Sequence, residues 1–120
     1  MNIIEYIKNS NLPKFGGDCG MFALHLKEKY GGSLAFLTET KADEEELVLE
    51  APIYHVLLKL NDKFYDGDGE ITEDKMIEFC HIEYGDSFPA LWTDLGEEQE
   101  LKIVRWNTAF TIDLGLKLTM

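Results

Sequence analysis

A chain of 120 residues, 45% of them hydrophobic and 12% aromatic, is sized for a single domain over 1–120 with one apolar core. Its net charge of −12 excludes nucleic acid and anionic membranes as partners and leaves plain solubility, attraction to something basic, or imitation of DNA toward a DNA-binding protein. Two cysteines, Cys19 and Cys80, make neither a disulfide framework nor a zinc pattern, and reduced thiols in a cytoplasmic protein are expected. The N-terminus lacks the basic region and apolar run of a secretory signal, and no apolar stretch is long enough to span a bilayer.

In chain order, residues 2–9 set Ile3, Ile4 and Ile7 on one side of a short amphipathic helix, which Asn11-Leu12-Pro13 ends. Gly16-Gly17-Asp18-Cys19-Gly20 then runs into an apolar helical stretch. Loop glycines such as Gly17 open space around the sulfur. Asp18 is a natural N-cap, and the positive end of the helix macrodipole favours thiolate over thiol. A cysteine so placed is poised as a nucleophile; a buried cysteine that merely follows a loop is the plainer reading.

The second helix runs from about Cys19 to Tyr30, with Phe22, Ala23 and Leu26 as its inner stripe and Gly31-Gly32 as its stop. Ser33 to Thr38 reads as a strand. Thr40 to Glu50 reads as a solvated acidic connection around Asp43, Glu44, Glu45 and Glu46. Tyr54 to Leu60 and Lys63 to Asp68 read as two strands joined by an Asn61-Asp62 hairpin turn. Glu73 to about Ile82 has helical spacing in Met76, Ile77, Phe79 and Cys80. Leu101 to Trp106 and Phe110 to Leu118 read as strands. Helices first and mostly strands after point to an α+β fold, N-terminal helices on an antiparallel sheet.

A two-residue turn at Asn61-Asp62 fixes the hairpin register: Leu60 meets Lys63, Leu58 meets Tyr65, and Val56 meets Gly67. Strand alternation then puts Val56, Leu58, Leu60 and Tyr65 on a core face. His55, Leu57, Phe64, Asp66 and Asp68 share the other. His55 falls opposite Asp68 and diagonal to Asp66. A histidine beside a carboxylate is held in one tautomer and becomes a better base, which a cysteine nucleophile requires.

This order of parts, a cysteine opening a helix, a histidine early on a later strand and an acidic residue on the neighbouring strand, resembles the papain-like cysteine hydrolases in the broad sense, including NlpC/P60 peptidases and transglutaminase-like proteins. His55-Val56-Leu57-Leu58-Lys59-Leu60 followed by Lys63-Phe64-Tyr65-Asp66-Gly67-Asp68-Gly69 also resembles small bacterial and phage proteins so organised. The resemblance spans residues 16–70. It implies Cys19 as nucleophile, His55 as base and Asp66 as orienter, with Asp68 in reserve. Further implications are acyl transfer on an amide of a protein or peptide substrate, with no metal and no organic cofactor. Pro13 stands where papain has a glutamine, and Gly20 where a tryptophan often follows the cysteine. The oxyanion donors then fall to the Cys19 backbone N–H and to Asn11.

Other features have plainer meanings. Asp66-Gly67-Asp68-Gly69 looks like part of a calcium loop, but the alignment puts Phe64 and Lys75 at positions that need oxygen ligands. His25 is expected on the surface, Cys80 in the core with His81 at its boundary, and Trp92 and Trp106 in the core or an interface. Asp94, Glu97, Glu98 and Glu100 are expected in a solvated turn. The competing functional reading is a non-enzymatic acidic protein, of the kind phages encode, that blocks a basic surface of a host factor.

Overall fold

The computed structural model describes residues 2–12, 19–39 and 53–104. The Gly16–Asp18 loop, the acidic connection from Thr40, Trp106 and the strand expected from Phe110 lie outside them. The order is α1 (Ile3–Asn9), α2 (Cys19–Tyr30), β1 (Ser33–Thr38), β2 (Ile53–Leu60), β3 (Lys63–Asp66), β4 (Gly69–Ile71), α3 (Glu73–Tyr84) and β5 (Ala90–Trp92). Residues 97–104 form a further helix, α4.

The fold is α+β. Five strands make one sheet in the order β4-β3-β2-β1-β5, each pair antiparallel. Asn61 and Asp62 both have left-handed backbones, φ 53° and 62°, the twist that a two-residue hairpin turn needs. The expected register follows: Leu60 faces Lys63 and Leu58 faces Tyr65.

Strand alternation builds two apolar layers. Leu34, Phe36, Val56 and Leu58 face α1, α2 and α4, where they meet Ile7, Phe22, Ala23, Leu26, Ile103 and Val104. Ala35, Leu37 and Leu57 face α3 and meet Met76 and Cys80. Both faces of the sheet are therefore covered, and the face expected to carry His55, Leu57 and Phe64 is also a second core.

Four local expectations are corrected. β3 ends at Asp66, not Asp68, because the chain turns at Gly67-Asp68 and Gly69 takes φ 110°, a conformation that L side chains rarely adopt. The strand expected from Leu101 is helical instead. Glu100, Ile103 and Val104 are all buried, and that i, i+3, i+4 spacing is a helix face, not an alternation. Glu100 lies in no solvated turn: it is 1% exposed, accepts the Leu34 N–H at 3.0 Å and pairs with Lys27 at 2.5 Å. Ile4 points outward, leaving Ile7 as the buried residue of α1.

Candidate active site

His55 lies where β2 departs from regular pairing. Leu37 faces His55 but Thr38 faces Ile53, so Tyr54 is an extra residue in the strand. A bulge of this kind re-aims the side chains beside it. The imidazole is buried, 7% exposed, and packs against the Phe79 ring of α3 at a centroid distance of 5.4 Å.

Its Nε2 bonds Asp66 Oδ2 at 3.0 Å, both side chains being buried. The carboxylate is itself held, because the Asp68 backbone N–H donates to Asp66 Oδ1 at 2.8 Å. The expected orienter, Asp66, diagonal to His55 in the hairpin register, thus hydrogen-bonds it directly. Asp68, expected as the reserve orienter, is corrected: its side chain is exposed beyond the strand end, and it contributes a backbone donor.

Cys19 opens α2 and packs at the edge of the core cluster that includes Val56, the residue after His55. Gly20 sits against Val56 and Val104, so that a Cβ there would touch both at 3.6–3.7 Å. Close packing of this first turn onto β2 sets Cys19 beside the strand that carries His55, and Cys19 is among the groups that act on the imidazole. With Nε2 engaged by Asp66, Nδ1 is the ring nitrogen left for the sulfur.

Burial pulls the His55 pKa down, but hydrogen bonds to Asp66 and Cys19 and the negative charge at both outweigh it, raising the group to about 9. His55 therefore holds its proton at neutral pH. Because the folded pKa lies above the usual 6.5, His55 contributes stability in full below pH 6.5 and loses it as pH rises to about 9. The loss is on the order of 3 kcal/mol. Urea unfolding between pH 6 and pH 9 should show the decline and His55→Gln should flatten it; an unchanged midpoint in the native chain would mean the imidazole is not charged.

Of the remaining expected residues, Asn11 is exposed after α1, while Gly17 and Asp18 lie outside the described residues. Cys80 is fully buried, and burial followed by the nearby charge of Asp86 pushes its thiol up to about 11. His81 is exposed with Nδ1 2.7 Å from the Ser87 hydroxyl. His25 is half-buried, not a surface residue, and hydrogen-bonds Tyr6. Asp66-Gly67-Asp68-Gly69 is a hairpin turn, and no group of three or more metal-ligating side chains occurs among the described residues. Sequence reasoning missed the rings beside the site, Tyr54, Phe79 and Tyr84; Phe79 was visible only as part of the helical spacing of α3.

No protein-family model, curated protein or solved structure matches the chain. No helix among the described residues is long and apolar enough to cross a membrane.

Proposed function

We propose that this chain is a small cysteine-dependent hydrolase or acyl-transferase acting on an amide bond, in the manner of papain-like cysteine hydrolases. One observation carries the reading: a buried imidazole bonded to Asp66, on the strand against which the helix turn that begins with Cys19 packs.

The Cys19 sulfur adds to the amide carbonyl carbon. The C–N bond breaks, the proton on His55 passes to the leaving nitrogen, and a Cys19 thioester remains. His55 then takes a proton from an attacking water or amine, the S–C bond breaks, and the acid or new amide departs. Asp66 keeps the imidazole oriented and balances its charge. The Cys19 backbone N–H and Asn11 are assigned to the developing oxyanion. Peptidases, amidases and deamidases share both steps, and neither step needs a cofactor. Reduced thiols at Cys19 and Cys80 suit a cytoplasmic setting.

The test is covalent trapping. Incubation with a panel of peptidyl coumarylamides and rapid acid quenching should leave an acyl adduct on Cys19 by peptide mass spectrometry, with coumarin release. Cys19→Ala should give neither. A panel without adduct or release, in protein whose circular dichroism is native, would leave the acidic-binder alternative. That reading rests on the net charge of −12 and expects salt-sensitive binding to a basic protein, unaffected by Cys19→Ala.

A further inference from the structure

Beside the three proposed reacting groups runs a row of rings that the chemistry above does not use. Phe79 packs on His55. Tyr84 meets Phe79 edge-on at 5.9 Å and 75°. Tyr84 also stacks on Tyr54 at 4.2 Å and 13°, and its hydroxyl donates to the Tyr54 carbonyl at 3.4 Å, on the bulge that carries His55. The row thus leads from the imidazole to the surface, and Tyr84 at its outer end is 51% exposed. Tyr84 therefore lies one ring beyond the residue that packs on His55.

A half-exposed flat ring at the end of a row that starts on His55 is a platform for a substrate side chain. The ring alone would take an apolar, aromatic or cationic group. Its surroundings select among these.

The cap of α3 is a left-handed Gly85, φ 68°, with Gly85 N–H bonded to His81 O and Asp86 N–H to Cys80 O. This cap fixes Asp86 beside the stack. The Tyr54 hydroxyl donates to Asp86 Oδ2 at 3.0 Å and the Phe88 N–H to Oδ1 at 2.9 Å. Asp86 and Glu39 act electrostatically on Tyr54, and Glu83 on Tyr84. A ring face with carboxylates around it attracts a cation by its quadrupole and by Coulomb's law, and disfavours an anion.

Resting on the reading of Cys19 as the acyl-accepting sulfur, we propose that Tyr84, backed by Tyr54 and Asp86, is the subsite for a cationic side chain, of the lysine or arginine type, next to the scissile amide. The chain's charge of −12 steers such substrates in, and the ring holds the cationic group in place.

Methanethiosulfonate reagents test this with Cys19 as reporter. The sulfur displaces methanesulfinate and forms a mixed disulfide, so no turnover is needed. Rates at Cys19 are read by peptide mass spectrometry for trimethylammonium-ethyl, methyl and sulfonatoethyl reagents. Each is divided by that reagent's rate with free 2-mercaptoethanol. Salt near ~0.5 M screens the overall charge. The cationic reagent should then still lead the neutral one by about three- to fivefold, with the anionic reagent slowest. Tyr84→Phe should keep that margin, Asp86→Asn should shrink it and Tyr84→Ala should remove it. Equal normalised rates for cation and neutral reagent in the native chain, or a margin that survives Tyr84→Ala, would overturn the subsite. An inactive amide panel sinks the hydrolase reading by a different readout, so the two failures are distinguishable.

Discussion

His55→Ala is expected to lower kcat/KM toward any coumarylamide the native chain turns over by about 10²–10⁴-fold. Cys19→Ala should lose as much, and the double variant no more than either alone, because groups that act as one unit are not additive. The reason is geometric. Without the imidazole the leaving nitrogen has no proton donor, whatever the sulfur does, and Asp66 is left as a buried carboxylate facing a void. Asp66→Asn should cost a comparable factor, since an amide that accepts the Asp68 N–H turns its own N–H toward Nε2, fixes the wrong tautomer and lacks the charge that favours imidazolium. His55→Gln, which keeps bulk and an amide donor toward Asp66, separates lost chemistry from lost folding. Near pH 9, where the native chain has lost the stability its charged imidazole supplies, it should unfold close to the native temperature, and it should show the same kinetic defect. Losses that multiply in the double variant would show that Cys19 and His55 act separately, and the triad would then be abandoned.

The hairpin was the most legible part of the chain because its turn residues and its alternation agree. Asn61-Asp62 tolerates left-handed φ, and the two-residue connection leaves one register that buries Leu58 and Tyr65 together. The meeting of His55 and Asp66 follows from that register. The second turn, at Gly67-Asp68, is hidden because Gly67 and Asp68 continue the alternation expected of a strand to Asp68. Its effect is local but chemical, since it converts Asp68 from a candidate orienter into the backbone donor that steadies Asp66.

The bulge at Tyr54 was not legible at all. Nothing in Ile53-Tyr54-His55 marks an extra residue, which appears only through pairing with β1, sixteen or more positions away in sequence. Cys19 was legible as a helix start, but its approach to His55 depends on packing of Gly20 against Val56 and Val104. One of those neighbours belongs to a segment whose run of Leu101, Ile103 and Val104 imitates a strand. β5 was missed for the opposite reason: at three residues, Ala90–Trp92 is too short for alternation to show, and it exists by pairing with Phe36 to Thr38.

The acidic character of the chain conceals one carboxylate that is structural. Glu100 reaches from α4 to Lys27 on α2 and to the Leu34 N–H on β1, and so ties the helix that begins with Cys19 to the sheet that carries His55. Its side chain is 2% exposed, against 19% for Lys27. Removing the cation therefore leaves a buried charge with one backbone donor. Lys27→Met should destabilise the chain by about 3 kcal/mol, the lower end of the range for breaking a buried pair, because the partly open Lys27 position admits some water. Adding Glu100→Gln should restore roughly half of that loss: the uncharged amide still accepts the Leu34 N–H and no longer needs a counter-ion, while its own N–H groups go unpaired. Urea unfolding of the native chain and of both variants reads the difference, provided the dependence on denaturant is the same in all three. A double variant less stable than Lys27→Met alone would mean that Glu100 is held by more than this pair. Cys19 alkylation should slow in step with the loss in Lys27→Met, since the clamp that weakens is the one holding α2 against the sheet.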